Sequence, residues 1–250
     1  MSDFNRGFTR NVTAPVADMS VDAGLRAFML GVYNKVGLGL LLSAALAYAA
    51  AYVPAVHDLM FRTSIDGYTT GFTTLGMIVS WAPLAIILFA GFGMRNPTPA
   101  SSGAIYWAIV SLLGLSLGVL VLAYSGVSLA TTFLITAAAF GALSLAGYTT
   151  KKDLTGLGSF MTMGLVGLIL AMIVNFFLHS GPMAFIINVL GVLIFAGLTA
   201  YDTQKLKITY YHLGGDQAAM GVATNYGALN LYLDFINLFL FLLRLLNGRR

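Results

Sequence analysis

Two carboxylates stand in the sequence where an apolar chain has little use for them. Asp234 interrupts LNLYLDFINLFLFLLRLL, residues 229–246, and Asp202 follows a long apolar run in AGLTAYDTQKLK. On a helix of about 3.6 residues per turn, Asn230, Asp234 and Asn237 fall on one face, while Leu233, Phe235 and Leu240 fall elsewhere. Thr199 shares the face of Asp202 in the same way. Inserting an Asp at the centre of a membrane helix costs ~3 kcal/mol, so Asp234 needs a partner, a proton or water. Its polar stripe should therefore face the interior of a helix bundle. Arg244 lies ~15 Å further along the axis, too far to be that partner. It marks the end of the segment, snorkelling to the interface.

The elements that carry these acids follow from composition. The chain holds 13 Lys and Arg and 9 Asp and Glu among 250 residues, and 58% of it is hydrophobic, too little polar surface to face water. A soluble domain has about 25% charged residues. A run of ~20 apolar residues crosses a hydrocarbon core of ~30 Å. Six such runs lie near 32–53, 71–94, 104–124, 128–148, 157–178 and 182–202, and a seventh near 227–246 carries Asp234. Turn signals separate them: Val53-Pro54, the polar stretch 57–70, Asn96-Pro97-Thr98-Pro99, Ser125-Gly126, Lys151-Lys152-Asp153 and Ser180-Gly181-Pro182. The longest break is 203–225. The expected fold is all-α, a polytopic membrane protein with one transmembrane domain over residues 26–250. A tail, residues 1–25, precedes it, with Ser20 or Asp18 capping a short helix that leads into the membrane.

Several functions are excluded at this level. The net charge of +4 and pI near 9.3 come from Lys and Arg scattered over short loops and ends, so no nucleic-acid partner is expected. The chain has no cysteine, hence no disulfide, thiol nucleophile or thiolate metal site. His57, His179 and His212 are separated by spans, which argues against a histidine metal site. The frequent Gly, Ala and Ser of the runs suit close helix packing.

Lys and Arg also orient the chain. With a cytoplasmic N-terminus, Arg6, Arg10, Arg26, Arg95, Lys151, Lys152, Lys205 and Lys207 fall on the cytoplasmic side, against Arg62 outside. Lys35 then anchors the first helix. The last run admits two topologies. A re-entrant segment keeps Arg244, Arg249 and Arg250 inside, as charge counting favours. A crossing helix suits a stretch with no Pro and only Gly227 at which to reverse.

In this topology the sixth run ends and the seventh begins on the same side, so Asp202 and Asp234 meet at similar depth. Arg95, in FAGFGMRNP, closes the second run there too. LYLDFINLF followed by LLR, with YDTQ at the end of the preceding span and KKDL at 151–154, closely resembles the Bax inhibitor family in its bacterial branch. The resemblance covers about residues 26–247. It implies a seven-helix fold with the last helix at the centre of the bundle, in a bacterial inner membrane. It also implies a pH-sensitive calcium leak governed by a pair of membrane aspartates, which map onto Asp202 and Asp234. An Arg that pairs with the first acid maps onto Arg95. The segment between the aspartates, with YYHLGGDQAAMGVATN, is longer here than the family pattern.

Physical chemistry gives the pair a mechanism. Two carboxylates in hydrogen-bonding reach cannot both ionise cheaply in a low-dielectric setting, so they share a proton. Both ionised, they offer hard oxygens to Ca²⁺, which takes 6–8. Asn230, Asn237, backbone carbonyls and water are candidates for the rest. Ionised Asp202 would hold Arg95 as a latch across the cytoplasmic mouth.

The same residues allow other functions. A proton-coupled cation antiporter would use the same acids. Bacterial relatives associated with a membrane-bound protease imply a modulator of such a partner. An intramembrane aspartyl protease would also use two acids. Asp234, however, follows Leu231-Tyr232-Leu233 where that class has a Gly-x-Gly-Asp turn, and no Pro-Ala-Leu follows, so no enzyme is expected.

Overall fold

A computed structural model of the protein describes residues 23–64, 69–93 and 96–248. Among these residues the chain forms α1 (Ala23–Tyr52), α2 (Pro54–Met60), β1 (Phe61–Thr63), β2 (Thr69–Phe72), α3 (Thr74–Gly93), α4 (Pro99–Ser116) and α5 (Gly118–Ala123). It continues as α6 (Gly126–Thr149), α7 (Thr155–Leu178), α8 (Gly181–His212) and α9 (Gln217–Asn247). Six helical stretches are long and apolar enough to cross a membrane: α1, α4 with α5, α6, α7, α8 and α9. The shorter apolar stretch Thr74–Phe89 belongs to α3. The protein is an all-α polytopic membrane protein. The short helix expected to begin at Ser20 or Asp18 lies outside the described residues, as does Arg95.

Turn chemistry sets the helix boundaries. Thr98 and Ser101 form a reciprocal capping box at the start of α4, and Ser125 and Ser180 cap α6 and α8 through their side chains. The run 104–124 is two helices that meet at Leu117. The polar stretch 57–70 is not a simple loop. It holds the end of α2 and an antiparallel hairpin in which Phe61 pairs with Phe72. Phe61 and Met60 are buried there against Ala50 of α1.

The last helix is the hub. Inside its apolar stretch 56% of residues are buried, against 6% for α7 and 33% for α8, and it packs on α8, α1, α4 and α6. It is also one uninterrupted helix of 31 residues, about 46 Å long, which overturns the re-entrant alternative. The one glycine near its start serves packing rather than reversal. A Cβ on Gly227 would lie 2.3 Å from Leu206 Cδ2, so its absence brings α9 close to α8.

The expected long break at 203–225 is corrected as well. Helix α8 runs on past Asp202 to His212, and α9 starts at Gln217. The connection turns at Gly214 (φ 57°) and Gly215 (φ 89°), left-handed conformations that suit glycine. Asp216 then caps α9, its Oδ1 accepting from the amides of Ala218 (2.9 Å) and Ala219 (3.1 Å).

Candidate proton and cation site at the bundle centre

Helix α8 presents four consecutive side chains, Tyr201 to Gln204, at about 100° steps, and each meets a different neighbour. The Tyr201 ring covers Gly158 of α7, where a Cβ would lie 2.5 Å from it. The hydroxyls of Thr203 and Ser144 of α6 are hydrogen-bonded at 3.2 Å. Gln204 clamps the loop before α7: its Oε1 accepts from the Leu154 amide at 2.8 Å and its Nε2 donates to the Lys152 carbonyl at 2.7 Å. Gly147 lets α6 approach the backbone of Ala200, whose oxygen would be 2.1 Å from an added Cβ. With α6, α7 and the 151–154 loop gripping α8, Asp202 is left to face α9.

There it meets Asp234, which is 5% exposed. The two carboxyls lie within hydrogen-bonding reach of each other. Asp234 Oδ2 is buried with no hydrogen-bond partner among the described residues. Such an atom costs ~1–3 kcal/mol, more when charged. The one ion pair among the described residues, His57 with Asp58 at 3.5 Å, is elsewhere. Lys205 is in electrostatic reach of Asp202, but its Nζ sits 5.8 Å over the Tyr201 ring. A bond between two carboxyls requires a proton on one of them. The geometry thus provides a place for one proton between two acids.

The other expected site residues are placed differently. Thr199 is fully buried on the Asp202 face, and its hydroxyl donates to Phe195 O in its own helix at 2.7 Å. The Asn237 amide likewise returns to Leu233 O at 2.8 Å. Asn230 does not face the interior: it is exposed and lines a cavity of about 210 Å³ with Ile87, Ile105 and Tyr226. Asn230 and Asn237 lie about 40° and 60° to the same side of Asp234, so the stripe spans about 60° of the helix, enough to turn its Asn230 edge out of the core. No group of three or more His, Cys or acidic side chains forms among the described residues.

A second polar column holds α9 from its other side. Tyr232, about 200° around the helix from Asp234, shares a hydrogen bond with Ser43 of α1 (2.7 Å), and Ser43 donates to Val110 O of α4 (3.1 Å). Tyr106 of α4 donates to Lys35 O at 2.6 Å. Lys35, expected as a membrane anchor, instead donates to Asn225 Oδ1 and lies 5.8 Å over the Tyr106 ring. The Asn225 amide donates onward to Pro99 O (2.8 Å) and Ser102 Oγ (2.9 Å). None of this was visible in the sequence, because the partners are far apart in the chain and isolated Ser and Tyr in apolar runs look like packing residues. Only Lys35, a charge close to an apolar run, carried a signal.

The fold and the site together define a polytopic α-helical membrane protein in which two acids, Asp202 and Asp234, face each other inside the helix bundle. The chain belongs to the Bax inhibitor family: the family model described as inhibitor of apoptosis-promoting Bax1 matches residues 25–250. An uncharacterized protein of Caulobacter vibrioides is 63% identical over 250 residues, the whole of both chains. The inner membrane protein YbhL of Escherichia coli K12 is 41% identical over 229 residues, 91% of this chain and 94% of that one. An uncharacterized membrane protein of Streptococcus pyogenes is 36% identical over 224 residues, 90% of this chain and 93% of its own.

Proposed function

We propose that the protein is a pH-sensitive calcium leak of the bacterial inner membrane, oriented with its N-terminus in the cytoplasm and governed by Asp202 and Asp234. The observation that carries this reading is the Asp234 carboxyl, buried within reach of Asp202 and with no cationic partner among the described residues. A structural acid anchoring a helix would be satisfied by a donor, whereas Asp234 Oδ2 has none. The pair holds one proton at little cost and both charges only when a cation offsets them. H⁺ and Ca²⁺ therefore compete for the same oxygens. Arg95, which follows α3, acts as a latch by pairing with ionised Asp202. The inner-membrane setting is supported by the name of the E. coli relative.

The test is Ca²⁺ flux into liposomes across pH for the wild type, Asp202→Asn and Asp234→Asn. Each variant should flatten the pH profile, because each removes one of two coupled carboxyls. Unchanged profiles in both would end the proposal. Flux driven by an imposed proton gradient would instead identify a cation/proton antiporter using the same acids.

A further inference from the structure

Between the first turns of α1 and the last turns of α6 the bundle leaves an open groove of about 540 Å³. Both helices pack on α8 and α9. Arg26 and Tyr148 stand at one end, Leu30, Ser144 and Leu145 follow, and Tyr33, Phe140 and Gly141 line the deeper part. Beside Tyr148 lies a second cation: Lys207 Nζ sits 5.5 Å over its ring and donates to its carbonyl at 2.8 Å. Among the described residues neither Arg26 nor Lys207 forms an ion pair. From Arg26 to Tyr33 along α1, and from Tyr148 to Phe140 along α6, the groove descends ~10–12 Å. Its order is cations with Tyr148 at the mouth, then an apolar wall that Tyr33 shares with Phe140 at depth. Leu30 and Leu145, 51% and 63% exposed, form a rim that opens toward lipid rather than a closed wall.

That sequence of surfaces mirrors a phospholipid read from headgroup to chain. Basic residues at the membrane surface attract anionic headgroups, and tyrosines favour the interface. A groove of this volume is within the range that holds a small-molecule ligand. We propose that the α1/α6 groove is a binding site for an anionic phospholipid, with its phosphate between Arg26 and Lys207 and an acyl chain lying along Phe140 and Gly141. The site is separate from the acid pair, although Ser144 on its wall is bonded to Thr203, the neighbour of Asp202.

The experiment uses the full chain in nanodiscs of phosphatidylglycerol and phosphatidylcholine in equal parts, with retained lipid counted by native mass spectrometry. The wild type should retain phosphatidylglycerol preferentially. Each cation near the surface is worth roughly a factor of five, so Arg26→Gln with Lys207→Gln should lower the preference by roughly 25-fold. Gly141→Phe gives an independent arm: a Cβ at 141 meets nothing within 4 Å, so the ring can fill the groove without disturbing helix packing. It should abolish retention of that lipid while the helical circular dichroism is unchanged. Equal retention of the two lipids by the wild type overturns the proposal. So does preference that survives the charge variants and Gly141→Phe. A change of oligomeric state in Gly141→Phe with lipid retention intact would assign the groove to a second copy of the chain and overturn it as well.

Discussion

Gly39→Ala should destabilise the bundle, and Tyr106→Phe should rescue it. A Cβ at position 39 would lie 2.2 Å from the Tyr106 hydroxyl oxygen, 3.2 Å from its Cζ and 3.4 Å from Val110 Cγ2. The first distance is more than 1 Å inside the ~3.5 Å optimum for non-bonded heavy atoms, and Tyr106 has no room to retreat because it is fully buried. Overpacking of this kind costs ~1–3 kcal/mol, partly offset by the ~1 kcal/mol gain in helix propensity from Gly to Ala. Tyr106→Phe alone loses the hydrogen bond to Lys35 O, a net ~1 kcal/mol. In the double variant the closest atom is Cζ at 3.2 Å, which a shift of a few tenths of an ångström relieves. The double variant should therefore be more stable than the sum of the singles by about 2 kcal/mol. Reversible unfolding in mixed micelles, run as a double-mutant cycle, measures that coupling. Additive costs would refute the close approach of α1 and α4 on which the column beside α9 rests.

Three further outcomes follow from the same geometry. Gln204→Leu removes both bonds to the 151–154 loop and should cost ~1–2 kcal/mol, with faster hydrogen exchange at the Leu154 amide and little change in α9. Hydrogen bonds from the Thr155 hydroxyl and amide hold the exposed Asp153 carboxyl below the usual carboxylate range. Because the folded value is the depressed one, this contribution is present above the ordinary Asp value of ~3.9 and is lost as pH falls through the folded value. A carbon-13 titration of Asp153 should show the low midpoint, and Thr155→Val should raise it. In a deletion strain, Asp234→Asn should fail to restore calcium handling. Full complementation, together with altered substrate turnover by a membrane-bound protease, would favour the role of protease modulator.

The acids were legible in the sequence because a charge inside an apolar run has few explanations, and their depth follows from counting residues along a helix. That α9 turns its Asp234 face inward was legible for the same reason, whereas its central place came from the family resemblance. What surrounds the pair was not. Asn230 lies only about 40° around the helix from Asp234, yet the packing of α3 and α4 leaves that edge outside, and one helix's periodicity cannot report its neighbours. The continuation of α8 to His212 was hidden because polar helix and polar loop share a composition once the chain leaves the membrane. The hairpin of Phe61–Thr63 and Thr69–Phe72 is short, with alternation too brief to register. YDTQ and KKDL carried the family resemblance without a physical reason, and the clamp of Gln204 on Lys152 and Leu154 supplies one.

The central claim is that Asp202 and Asp234 act as one titrating unit. It is tested most directly by following carboxyl protonation with infrared spectroscopy on protein reconstituted in lipid, for the wild type and each single Asn variant. A shared proton predicts two separated steps in the wild type, both lost in either variant and replaced by a single step at a new pH. If each variant removes one step and leaves the other unmoved, the two acids titrate independently and the claim is contradicted.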